Sequence, residues 1–178
     1  VAIDGDYSTN WKIYKKYLKK ILSKKKIVFF DFSECIQSEN IINSYFQKNL
    51  SDNDKLFGKI NKGNFNLILN KKKVNQFIKK FNKFQNSKIK KNFDYIICLG
   101  TGIGSLNFKK KFDLFFYSNL TRSNALKNNQ RKFNKGKTQT ISPNLFYYII
   151  FPIMEKYQEK IIPLADYYID FRKNIVPV

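Results

Sequence analysis

The chain reads as one α/β domain, a three-layer fold with a mainly parallel sheet flanked by helices, and three observations predict it. Apolar runs at residues 27–32, 95–99 and 114–117 are continuous rather than alternating, as in strands buried on both faces. Segments whose apolar residues follow helical spacing separate those runs, which implies right-handed βαβ units. The 178 residues are 43% hydrophobic and include 18 Phe and 11 Tyr. That suits a single domain burying about 70% of its unfolded surface.

Each element follows in order. Residues 1–4 read as the end of a strand, closed by Gly5. Asn10 or Thr9 can cap a helix to about Leu22, with Trp11, Tyr14, Leu18, Ile21 and Leu22 at helical spacing. Lys24, Lys25 and Lys26 form a charged turn before the strand at 27–32. Residues 38–50 look helical, and 51–64 form a polar loop with two glycines. An amphipathic helix is expected over 65–84, Lys-rich on its outer side, so that residues 51–92 read as a basic helical insertion. The strand at 95–99 leads into Gly100-Thr101-Gly102-Ile103-Gly104, which lacks the Gly-x-x-Gly tail of a dinucleotide site and reads as a flexible turn. A strand at 114–117, a helix at 121–133 and a polar link at 134–140 come next. A long helix at 144–160, kinked at Pro152, and a last strand at 167–171 complete the order.

Composition narrows function. The formal charge is +21, from 34 basic and 13 acidic residues, and Lys outnumbers Arg 31 to 3. An AT-rich coding sequence would by itself produce part of that excess, yet the field still favours polyanions or an acidic partner. Scarce Arg argues against bidentate base reading. The chain has no His, which excludes Ser-His and Cys-His catalysis and most zinc sites. Cys35 and Cys98 lie in or beside apolar runs and read as buried free thiols in a reducing compartment. The aromatic residues sit mostly at core positions. Nothing has the order of a signal peptide, and the longest apolar run, 145–153, is far below the roughly 20 residues a membrane span needs. A soluble protein of the cytoplasm or an organelle matrix, with no membrane span, is expected.

The first strand–turn–helix sits where a Gly-x-x-x-x-Gly-Lys-Ser/Thr phosphate loop belongs. Counted from Gly5, Asn10 takes the second glycine position, Trp11 the lysine position and Lys12 the hydroxyl position. Lys12 is one place late, about 100° around a helix.

Residues 151–169, with Pro152, Met154, Glu155 and Tyr157 followed by Pro163 and the Ala165-Asp166 pair, resemble a segment of the uridine kinase and phosphoribulokinase family of P-loop kinases. Residues 1–5 are similar to that family's "IDG" strand, and residues 28–32 to its second strand, which ends in the base near the acceptor hydroxyl. The resemblance therefore implies a P-loop NTPase (nucleoside kinase)-like fold and puts Asp31 in the position of the base. It puts Arg122 and Arg131 in an arginine-rich lid, joined by Lys127, Lys132, Lys135 and Lys137. The departures are the lost lysine and hydroxyl, Leu99 where the family has a carboxylate, and a substrate histidine absent from the whole chain. Single charged groups in such sites are often worth about 10³-fold in rate, so their joint loss should bring turnover close to nothing.

Three functions follow. One is a catalytically degenerate domain serving as a structural or adaptor subunit of a larger assembly, docked on an acidic protein or polyanion. It requires no cofactor, although a residual nucleotide or phosphate held by Arg122 and Arg131 is compatible with it. The second is a basic RNA-binding component, such as an organellar ribosomal protein, contacting RNA through residues 71–91 and 109–111. The third is an active nucleoside kinase with an atypical loop, in which Lys12 replaces the missing lysine and Asp31 is the base.

Overall fold

The computed structural model describes residues 1–50, 58–106, 111–133 and 143–170. The link at 134–140 with Lys135 and Lys137, residues 51–57 of the expected insertion, Lys109 and Lys110, and Phe171 lie outside the described residues, as do the side chains of Arg131 and Lys132.

Five strands form one sheet: β1 (Ala2–Gly5), β2 (Ile27–Asp31), β3 (Tyr95–Leu99), β4 (Phe115–Asn119) and β5 (Tyr167–Asp170). Their order is β2-β3-β1-β4-β5, and every pairing is parallel. One row across the sheet runs Asp31, Leu99, Ile3, Phe116, Tyr167. Two aspartates set register at strand starts. Asp94 Oδ2 accepts from Lys26 N at 2.7 Å, ahead of the β2–β3 pair. Asp166 Oδ2 accepts from Phe115 N at 2.8 Å while its own N–H donates to the Phe115 carbonyl, which locks β5 onto β4.

Helix α1 (Trp11–Ile21) starts where expected, with Asn10 Oδ1 accepting from Ile13 N at 3.2 Å as its N-cap. Helix α2 (Glu39–Tyr45) is shorter than the expected 38–50, since residues 47–49 tighten into a 3₁₀ turn. The expected 65–84 helix is two pieces, a 3₁₀ turn at Phe65–Ile68 and α3 (Lys71–Gln85). Leu69 between them is extended and bridges Ile36, and Asn70 starts α3 afresh by accepting from Lys73 N. Apolar spacing runs through both pieces, so periodicity alone could not find the break. Helix α3 carries the chain from β2 to β3 and buries Phe77 and Phe81 on the sheet.

Helix α4 (Arg122–Phe133) follows β4. The long helix kinked at Pro152 is α5 (Pro143–Leu145), one π turn at Phe146–Ile150, and α6 (Phe151–Ile161). Proline has no N–H to give the carbonyl four residues back. That carbonyl, on Tyr148, is taken instead by Asn61 N at 2.8 Å. Among the described residues no helix is long and apolar enough to cross a membrane.

The two sheet faces carry different loads. Ala2, Phe30, Cys98, Phe115 and Tyr117 face the main core with α3 and α6. Ile3, Ile97 and Leu99 face a second, small cluster under Trp11 and Tyr14 of α1. Topology explains this. Only the β1-to-β2 connection runs towards the β2 edge, so crossovers of one hand leave α1 alone on its face among the described helices.

Candidate functional site at the C-terminal edge of the sheet

Open α/β sheets bind ligands outside the carboxyl ends of their strands, where neighbouring connections depart to opposite faces. In this order that point lies between β1 and β3. The turn after β1 (residues 5–10) and the glycine-rich turn after β3 (residues 100–104) form its walls.

Asp4 is at the centre. A carboxylate inside a strand buried on both faces needs several donors. Asp4 is 0% exposed and has them: Oδ1 accepts from Gly5 N at 2.7 Å and Gly102 N at 2.8 Å, and Oδ2 accepts from Gly104 N at 2.8 Å and from the Tyr157 hydroxyl of α6. Burial pushes its pKa up to about 6, with the Tyr157 hydroxyl and the three amides pulling back towards ionisation. Burial, the Asp4 charge and the hydrogen bond to Asp4 push the Tyr157 phenol well above its ordinary value.

The glycine-rich turn, expected to be flexible, is anchored along its length. Gly100 and Gly102 have φ of 139° and 96°. A Cβ at Gly100 would strike the backbone of Phe32 and Ser33, and one at Gly102 the Phe65 ring. Gly100 N donates to the Ile3 carbonyl at 3.1 Å, and the Thr101 hydroxyl donates to the Asp6 carbonyl at 2.8 Å.

The opposite wall folds onto itself. Asp6 N donates to the Ser118 carbonyl at 3.2 Å, Ser8 N to Asp6 Oδ1 at 2.8 Å, Thr9 N to the Asp6 carbonyl at 3.1 Å and Trp11 N to the Thr9 carbonyl at 3.1 Å. The Trp11 indole, 5% exposed, crosses the crevice, and Nε1 donates to Thr101 Oγ1 at 3.0 Å. A phosphate cradle needs outward-facing amides and an ammonium. Here these amides serve protein acceptors and an indole fills the space. The residues present do not fit a nucleoside triphosphate with its Mg²⁺.

The other residues singled out in the sequence have these places. Gly5 is needed for close β1–β4 packing, since a Cβ would lie 2.6 Å from the Ser118 carbonyl oxygen. Asn10 is the α1 cap. Lys12 is exposed on α1, next to buried Trp11. Asp31 reaches the same sheet edge but is separated from β1 by β3, and Oδ1 accepts from Ser33 N at 3.1 Å and Ser33 Oγ at 2.5 Å. Leu99 is fully buried under α1. The Arg122 guanidinium lies 4.8 Å from the Tyr147 ring centroid and 4.3 Å from that of Phe151, a double cation–π contact that ties α4 to the π turn and α6. Arg131 lies on α4. Burial pushes the Cys35 and Cys98 thiols up to about 11 and about 12, so neither supplies a thiolate near neutral pH.

Sequence reasoning missed Asp4, Thr101 and the role of Tyr157. A carboxylate in an otherwise apolar strand was the available signal for Asp4. Tyr157 already stood in the α6 motif, and nothing marked Thr101.

Fold and site together define a class: an all-parallel five-stranded α/β domain whose switch-point crevice is filled by its own side chains. The chain belongs to the family described as Domain of unknown function (DUF8485), whose model matches residues 1–178. No curated protein matches it.

Proposed function

We propose that this chain is a catalytically degenerate, uridine-kinase-like P-loop domain that works as a structural or adaptor subunit of a larger assembly. The strand order with β1 central supports the P-loop reading, together with the resemblance of residues 151–169 to the kinase family. The observation that carries the loss of catalysis is the Trp11-to-Thr101 hydrogen bond across the crevice, made by a residue standing where the phosphate-binding lysine belongs. Asp31 is committed to Ser33, and Lys12 is exposed on α1, one place past the buried Trp11. What such a domain retains is a rigid core and a strongly basic surface suited to an acidic partner.

The test is ATP-dependent phosphorylation of uridine by the purified chain, with Asp31→Asn alongside. No turnover above the protein-free rate is expected from either. Turnover that Asp31→Asn abolishes would establish the active-kinase reading instead.

One observation favours RNA as the polyanion. Lys71, Lys72, Lys73, Lys79, Lys80 and Lys83 are all exposed on α3, with Lys88, Lys90 and Lys91 in the following turn. Under that reading, affinity for RNA falls steeply with salt, because released counterions drive the binding.

A further inference from the structure

Parallel sheets are as a rule covered on both faces. Among the described residues, that cover stops halfway on the α1 face. Leu114, Phe116, Tyr167 and Ile169 lie on the β4–β5 half of this face, by alternation and register. Leu114 is 38% and Tyr167 56% exposed, Phe116 and Ile169 are half-buried, and the Phe116 and Tyr167 rings stack at 5.1 Å.

Helix α1 supplies a wall to this floor. Steps of about 100° per residue put Ile13, Tyr17 and Ile21 on the same flank as Tyr14, and Lys15 on the opposite flank. The Lys15 ammonium lies 5.5 Å from the Phe29 ring centroid of β2, so that flank looks towards β2. The Tyr14 phenol lies beside the Ser118 hydroxyl of β4, so its flank looks towards β4 and β5. Ile13 and Tyr17 are half-buried there and Ile21 is 68% exposed. The apolar arc of α1 spans roughly 180°, against the roughly 100° that a helix resting on a single surface uses. The surplus borders the uncovered half-sheet.

We propose that this slot, floored by β4–β5 and walled by the Ile13–Tyr17–Ile21 flank of α1, is a docking groove for one acidic amphipathic helix of a partner protein. Lys16 and Lys20 are exposed on the outer side of α1, next to the apolar flank, and the chain carries +21, so acidic residues on the outer face of the incoming helix meet positive charge. A second copy would bring another +21 against the first, which disfavours self-association. This inference rests on the reading of the chain as an assembly subunit and assigns the chemistry of its partner.

The test titrates the full chain with a fluorescent helical peptide of about 18 residues, long enough to hold a helix, with Leu on one face and Glu elsewhere. A Lys counterpart serves as control. The Glu peptide is expected to bind saturably near 10 μM in about 0.15 M salt, and the Lys peptide not to bind. Ile21→Glu and Tyr167→Glu should each weaken binding roughly tenfold or more, while Lys72→Glu on α3 changes it less than about twofold. Circular dichroism of each variant checks that it folds. Absent binding, equal binding of the Lys peptide, or slot variants that bind like the parent would overturn the proposal. So would a dimer in sedimentation that Tyr167→Glu dissolves, or binding that appears only after residues 171–178 are removed. Uridine phosphorylation fails or succeeds independently of these titrations, so the groove and the loss of catalysis are judged separately.

Discussion

Asp4 and Asp31 stand at the carboxyl ends of β1 and β2, two strands of one sheet with β3 between them, yet their surroundings differ. Asp4 is sealed from solvent, holds the glycine-rich turn and α6 to β1 through four donors, and titrates near 6. Asp31 is half-buried and satisfied by its near neighbour Ser33. The carboxylate that the kinase resemblance marks as chemical is a local turn former. The one read only as a strand end organises the crevice. A carboxylate closed in by three amides and a phenol is a structural post, with no lone pair left facing solvent for a metal-bound water.

Replacing each aspartate breaks or sharpens this contrast, and the largest effect belongs to Asp4→Ala. It orphans three buried amides and the Tyr157 hydroxyl, so a loss of about 4 kcal/mol or more is expected in urea unfolding. A loss under about 1 kcal/mol would show that the hub carries little.

Next comes pH. The Asp4 pKa is raised from 3.8 to about 6 on folding, so the folded state holds an extra proton between those values. The stability this contributes is present below about pH 4 and lost as pH rises through about 6, roughly 3 kcal/mol in all. Measured from pH 4 to pH 7.5, the parent should lose about 2.4 kcal/mol of this relative to Asp4→Asn, which does not titrate. A constant difference between the two would contradict the assignment.

Tyr157→Phe removes the hydroxyl donor and should cost about 1.5–3 kcal/mol at pH 7.5, where Asp4 is ionised, and less at pH 4.5. Equal costs at both pH values would mean that the phenol acts by packing alone. Asp31→Asn should be mildest, within about 1 kcal/mol, since it alters one partly exposed turn.

Much of the fold was legible because each strand is a short apolar run and the first helix has a clear cap. Asn10 and Trp11 could be placed from spacing alone. The break at Leu69–Asn70 was hidden, because apolar periodicity continues across it while the bridge to Ile36 and the Asn70 cap interrupt the helix. The glycine-rich turn looked slack in the sequence because its anchors, Asp4, Ile3 and Asp6, lie about a hundred residues upstream. The site divides the same way. Missing phosphate-loop residues can be counted along the chain, whereas the bond from Trp11 to Thr101 and the ring contacts of Arg122 depend on tertiary packing.

Trp11 is the chain's one tryptophan, and its indole lies in the crevice itself, so its emission reports directly on whether that crevice admits a ligand. Titrating Mg²⁺–ATP into the protein should leave the emission maximum and intensity unchanged, after correction for absorbance, up to millimolar nucleotide. A saturable shift at micromolar concentrations, abolished when Mg²⁺ is chelated, would mean that the indole yields its place to a triphosphate and that the crevice is a working nucleotide site.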